Sequence, residues 1–170
     1  DAAGNLGPAS GAISLRVDAT APGTPVFLSG GGLTNDSTPT VTGTAEAGAT
    51  VTISNGGTVL GTAIAGSNGV FTFTPETPLT EGAYNLTAVA RDAVGNASPA
   101  SAALSLQLDL TAPRVPTIAP LAPTNDSTPT ITGTAEAGSV VTISNGATIL
   151  GSTTAAANGT FSFTPGTALA

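Results

Sequence analysis

The chain has no cysteine, histidine, methionine, tryptophan or lysine, and its only basic side chains are three arginines. Each absence removes a class of chemistry. Nucleophilic catalysis, acid and base catalysis near neutral pH and most transition-metal ligation draw on His, Cys or Lys. What remains for chemistry is carboxylates, hydroxyls, amides and one tyrosine, so no enzyme is expected. Without Cys there is no disulfide, and redox logic fixes no compartment. A net charge of −7 opposes a nucleic-acid partner, which needs a basic face to displace phosphate counterions. No apolar run approaches the roughly 18 residues of a membrane span, so this segment is expected to make no membrane insertion. No charged-then-apolar leader opens the sequence, which starts inside a repeat and reads as an excerpt of a longer protein.

What the sequence does have is repetition. "DAAGNLGPASGAISLRVDATAP" at 1–22 returns as "DAVGNASPASAALSLQLDLTAP" at 92–113, and "TNDSTPTVTGTAEAG" at 34–48 returns at 124–138 with Ile131 in place of Val41. The offset is 91 for the first pair and 90 for the second, because one residue is lost between Pro113 and Thr124. A period of this size fits one small domain. The chain then parses as 1–18, the C-terminal strand of a preceding repeat; 19–109, a complete repeat; and 110–170, an incomplete repeat lacking its last strands.

Within the complete repeat the hydrophobic period is two. "TVTGTA", "TVTISN", "VFTFTP", "AYNLTAVA" and "ALSLQLD" alternate apolar residues with Thr, Ser or Asn, as half-buried strands do. Asn55-Gly56 and Asn68-Gly69 offer the positive-φ pairs of tight hairpins, and proline at 22, 25, 39, 75, 78 and 99 breaks helices. Seven strands are expected, near 24–29, 40–45, 50–54, 58–64, 70–74, 83–91 and 100–108. That pattern predicts an all-β protein: tandem immunoglobulin-like β-sandwich domains of about seven antiparallel strands in an end-to-end array. The expected core is Val41, Val51, Ile53, Leu60, Phe71, Phe73, Tyr84, Leu86, Ala88, Leu104, Leu106 and Leu108. Tyr84 has the position of a corner tyrosine, with its hydroxyl bonded to nearby backbone.

Consecutive strands of such a sandwich reverse, so parity assigns each loop to a pole. One pole receives 46–49, 65–69, 92–99 and the arriving linker; the other receives 30–39, 55–57, 75–82 and the departing linker. All ten carboxylates of the chain fall at poles or in linkers. Asp18, Glu46 and Asp92 share the first pole, while Asp36, Glu76, Glu81 and Asp109 share the second. Gathered like charge costs stability unless something positive sits within it, and calcium takes six to eight oxygens of the kinds available here. The expected sites are Ca²⁺ held by Asp18, Glu46 and Asp92, with Asn96 or a backbone carbonyl of 92–96 completing the shell, and a second ion drawing on Asp109 and Glu136. Asp36 and Asp126, each before Ser-Thr-Pro, suit either a ligand or a turn former that bonds its own backbone. The alternative for the whole set is acids that only solubilise polar loops.

The "DxTAP" linker, "NDSTPTVTGTAEAG", "SNGxFTFTP" and "ARDAVGNxS" together resemble the bacterial immunoglobulin-like repeats of giant secreted adhesins, the biofilm-associated and type I secreted RTX-type surface proteins. The resemblance implies an extracellular stalk on the bacterial cell surface, stiffened by calcium at its linkers, in support of adhesion and biofilm formation. It places Asp18 and Asp109 as linker ligands and Glu46, Glu136 and Asp92 as ligands from the following domain. The partners implied are neighbouring repeats of the same chain and the same protein on other cells. The alternative function is adhesive: repeats that bind glycan or matrix, or that self-associate laterally through edge strands.

Overall fold

The computed structural model describes residues 2–7, 9 and 11–169, and the chain divides into two compact units, Asp1–Leu110 and Thr111–Ala170. In unit 1 the strands follow in the order β1 (Val26–Ser29), β2 (Gly32–Thr34), β3 (Val41–Thr44), β4 (Thr50–Asn55), β5 (Thr58–Ile64), β6 (Val70–Phe73), β7 (Gly82–Arg91) and β8 (Leu104–Leu108). They build a three-stranded sheet, β1-β3-β6, and a five-stranded sheet, β2-β8-β7-β4-β5. Val41, Phe71 and Phe73 of the first sheet pack with Val51, Ile53, Leu86, Ala88, Leu106 and Leu108 of the second in one buried cluster. Full burial of such a side chain is worth on the order of 1.5–3 kcal/mol for the larger ones. Leu60, Tyr84 and Leu104 lie against this cluster half-buried, so the alternation located the core. It missed Ala49, Ala65 and Ala90, each at most 2% exposed.

An immunoglobulin-like sandwich is what forms, with two departures from the expected strands. The first strand is split between the sheets: β1 pairs antiparallel with β3, and β2 then runs parallel to β8, with Gly32 opposite Leu106 and Thr34 opposite Leu108. Eight strands therefore replace seven, and one pair is parallel. The cause is the glycine run, where Gly30 and Gly32 take φ of 103° and 101° and let the backbone step across. Because β1 and β2 run the same way, the split leaves the loop parity unchanged. The second departure is at 100–103, which is not strand. There the buried Ser98 and Ser101 substitute for a ladder: their Oγ atoms accept from the N–H groups of Ala90 and Ala88 at 2.9 and 3.0 Å, and their own N–H groups donate to the same two residues' carbonyls.

The turns also differ from the expected pairs. Asn55 stays in the ladder opposite Thr58, so the two-residue turn is Gly56-Gly57, with positive φ at Gly56 alone. This is the φ pattern of a II′ hairpin, and it explains why the second copy keeps Gly146 but tolerates Ala147. Asn68-Gly69 closes no hairpin, since β5 and β6 lie in different sheets. Tyr84 does act as a corner: its hydroxyl donates to the Thr80 carbonyl at 2.9 Å.

Unit 2 repeats the front of this plan with β9 (Thr117–Ile118), β10 (Ile131–Thr134), β11 (Val140–Asn145), β12 (Thr148–Thr154) and β13 (Thr160–Phe163). Gly133 faces Ile118 and Phe161 as Gly43 faces Phe27 and Phe71. Among the described residues there is no counterpart of β7 or β8, and the buried cluster shrinks to Val141, Ile143 and Phe161, with Ile131 half-buried where Val41 is 1% exposed. Residues 122–124, the counterpart of β2, form no strand: they have no β8 equivalent to join, and Pro123 lacks the N–H that Leu33 has. Residues 11–25 likewise form no strand, and Ile13, Leu15 and Val17 are 93%, 85% and 79% exposed, whereas in β8 their counterpart Leu104 is half-buried and Leu106 and Leu108 are at most 2% exposed.

A Cβ added at Gly43 would come within 2.5 Å of the Val26 carbonyl and closer still to the Phe71 ring, while one at Gly57 would meet nothing within 4 Å. Gly43→Ala is accordingly expected to destabilise unit 1 by about 1–3 kcal/mol through overpacking, and Gly57→Ala to leave it unchanged or raise it by about 0.4–1 kcal/mol. Urea unfolding followed by tyrosine fluorescence decides this, because the single tyrosine, Tyr84, reports on unit 1 alone. Equal midpoints for the two variants would contradict the packing argument.

Candidate functional site at the proximal pole

The strand pairings send β1, β2, β4, β6 and β8 one way and β3, β5 and β7 the other. The loops after β3, β5 and β7 therefore gather at the pole where β1 begins. Backbone hydrogen bonds tie them: Ala45 N–H to the Gly69 carbonyl and Gly48 N–H to the Ala65 carbonyl, each at 2.9 Å. β8 leaves from the other pole, where Asp109 N–H donates to the Thr34 carbonyl at 3.0 Å.

At the proximal pole Asp18, Glu46 and Asp92 line one cleft of about 240 Å³ with Ala47–Ala49, Ala93 and Val94. Three distant chain segments thus line one cleft at this pole. Among the described residues, however, no three acidic side chains converge as a ready-made metal-binding group. Each acid also has a local structural role. The Glu46 carbonyl accepts from Ala49 N–H at 3.0 Å, closing a turn with Gly48 at φ 81°, and Glu136 makes the same turn with Ser139 and Gly138 in unit 2. Asp18 Oδ1 accepts from Thr20 N–H at 3.0 Å.

Asp92 is the most engaged. Its Oδ1 accepts from the N–H groups of Val94 and Asn96 at 3.0 and 2.8 Å, and its Oδ2 accepts from the Asn96 side-chain amide at 2.7 Å. The loop it organises is also closed by Asp92 N–H to the Asn96 carbonyl and by Arg91 Nη1 to the Gly95 carbonyl, both at 3.1 Å. Desolvation pushes the Asp92 carboxyl up, but the Asn96 side-chain bond and the backbone bonds from Asn96, Val94 and Gly95 outweigh it, so the group ends below its ordinary value. Asn96 presents its amide nitrogen to the Asp92 carboxylate, reaching the Asp18 carbonyl at 3.2 Å as well.

The remaining candidates lie elsewhere. Asp36 belongs to the opposite pole, where its Oδ1 accepts from Thr38 N–H and Oγ1 at 2.8 and 3.1 Å, and Asp126 does the same with Thr128. These are Asx turns, the turn-former alternative of the sequence reading. Asp109 follows β8 at that opposite pole, and Glu136 is exposed on its turn in unit 2. Sequence reasoning gave no role to Ser98 and Ser101, whose side chains hold the segment after the Asp92 loop; the only signal in the sequence was a pair of serines flanking Pro99-Ala100.

Residues 28–110 match the model of a family described as a bacterial Ig-like domain, and residues 112–170 match that of a bacterial Ig domain. The chain therefore belongs to the bacterial immunoglobulin-like domains, carried in tandem. Among solved structures it is similar to the crystal structure of a tetra-tandem repeat in the extending region of a large adhesion protein, with 24% identity and a TM-score of 0.40 over 88% of this chain. It spans 42% of the length of that structure. No curated protein matches it.

A carboxyl lowered in the folded state contributes stability above its unfolded value, near 3.9, and loses it as pH falls through the folded value. The stability difference between the natural chain and Asp92→Asn is therefore expected to be constant from pH 7 down to about 4 and to shrink below that. Urea midpoints by Tyr84 fluorescence across this range check it; a difference that does not change with pH would mean that the Asp92 charge contributes nothing.

Proposed function

We propose that the chain is a stalk segment of an extracellular bacterial surface adhesin, in which Ca²⁺ at the proximal pole fixes the linker to the sandwich. The observation that carries this reading is the cleft that collects Asp18 from the linker and Glu46 and Asp92 from two loops. The donors are all oxygens, which suits a hard cation. Asp18, Glu46 and Asp92 would hold it, with the Asp18 carbonyl beside them. A bound dication supplies charge neutralisation and a bridge between linker and loops, which removes hinge freedom that a proline-containing linker only biases. Arrival at one pole and departure from the other suits a module that extends a rod. Support of adhesion and biofilm formation follows as the role of the parent protein, with neighbouring repeats as the partners of each sandwich.

A second reading has one observation in its favour. β5 is the free edge of the five-stranded sheet, and its seven residues, Thr58–Ile64, contain neither charge nor proline. Native edges usually carry such guards, and although a bulge at Leu60 interrupts the register of β5 with β4, the lack of charge and proline favours lateral pairing between stalks.

Calorimetric titration of the 170-residue chain with Ca²⁺ tests the first reading, with Asp18→Asn and Glu46→Gln as variants. At a free concentration 100 times Kd, calcium is expected to stabilise unit 1 by about 2.7 kcal/mol, and either variant to remove most of that gain. Small-angle scattering in millimolar calcium and in EDTA, at several protein concentrations, separates the two readings: a calcium-dependent narrowing of the ensemble supports the stiffened stalk, and concentration-dependent growth supports lateral pairing. Neither heat nor stabilisation from calcium would leave the polar acids as solubilising surface.

A further inference from the structure

We propose that Asn96 is a latch that holds the linker on the proximal pole without any cation, and that it is the group a cation displaces; the second half rests on the calcium reading above, the first does not. The Asn96 amide nitrogen donates to Asp92 Oδ2 at 2.7 Å and to the Asp18 carbonyl at 3.2 Å, joining residues 78 apart in sequence. Both partners are acceptors only, an ionised carboxylate and a backbone carbonyl, so the amide must present its nitrogen and not its oxygen.

The amide is offered from a fixed support. Asn96 N–H is bound to Asp92 Oδ1 at 2.8 Å, its carbonyl accepts from Asp92 N–H, and the loop between them is tied to Arg91. The same residues recur: Asp, Gly and Asn at 92, 95 and 96 are Asp, Gly and Asn at 1, 4 and 5, although Ala97-Ser98 become Leu6-Gly7. An Asp and an Asn kept at this spacing, while positions 94, 97 and 98 change, fit a function that uses both side chains.

The chemistry sets latch and ligand in opposition. Calcium would take the oxygens that the amide now occupies, and a full charge satisfies a carboxylate better than a neutral N–H does. Asn96 could serve as a ligand only by turning its oxygen inward and giving up both bonds. The latch therefore gives the linker a weak default position, which cation binding replaces with a strong one.

Val17 is exposed and next to Asp18, and the chain has no cysteine, so Val17→Cys carries a nitroxide spin label uniquely. In EDTA the labelled chain is expected to show a motionally restricted component that Asn96→Ala loses. Asn96→Asp, which sets a carboxylate against two acceptors, is expected to lose it in EDTA and regain it in calcium. Asn96→Ala should leave calcium affinity within about twofold, whereas removal of a true ligand costs about tenfold or more, or 1.4 kcal/mol. The urea midpoint from Tyr84 establishes that each variant is folded. A label equally mobile with and without the Asn96 side chain in EDTA, or a tenfold loss of calcium affinity in Asn96→Ala, overturns the latch. If the natural chain takes up no calcium, the calcium reading falls and the EDTA comparison still decides the latch.

Discussion

The contact on which unit 1 depends is the Phe71 ring over Gly43. Bare backbone at Gly43 lets the ring and the Val26 carbonyl approach the centre of the three-stranded sheet from opposite sides of β3. Phe27 then meets Phe71 edge-on, with ring centroids 6.0 Å apart at 70°, an arrangement that favours the aromatic quadrupoles. With so few aromatics in the chain, the rest of the buried core beside Phe73 is made of small and branched residues, including alanines at 49, 65, 88 and 90. Unit 2 preserves the contact through Phe161 and Gly133 while its core is otherwise reduced. The glycine of "TVTGTA" and "TITGTA" is thus as much a core position as the valine or isoleucine two residues before it.

Much of this was legible because strand alternation and repetition reinforce each other. Alternation located every large buried core residue from Val41 to Leu108, and loop parity assigned Asp18, Glu46 and Asp92 to the pole where they line one cleft. Ala49, Ala65 and Ala90 escaped because Ala is equally at home on either face, and the size of the cavity it fills is set by partners distant in sequence. β2 escaped because three residues following a glycine run carry no period, and it becomes a strand only by adding to β8. The turns were misjudged for a local reason: Asn-Gly is a strong hairpin signal, yet the ladder here extends one residue further and moves the turn to Gly-Gly.

At the site, the sequence indicated which residues share a pole but not what their side chains do there. Asp36 and Asp126 resemble ligands by composition, yet Oδ1 of each is taken by Thr38 or Thr128 two residues on. Glu46 and Glu136 recur in both copies partly because the turn after β3 and β10 recurs. Asn96 is the residue whose reading changed most. Spacing could place it beside Asp92, but which end of its amide faces inward depends on whether its neighbours donate or accept.

The parallel pairing of β2 with β8 bears on how a sandwich of this kind responds to tension. The linker enters ahead of β1 at one pole and leaves after β8 at the other, so a pull along the chain draws β2 and β8 in opposite directions along their common length. Their hydrogen bonds, extended by the one from Asp109 to Thr34, are then loaded side by side in shear instead of being peeled open one at a time. A short strand of three residues on a glycine hinge, negligible in a tally of buried area, is where mechanical load passes from one end of the module to the other.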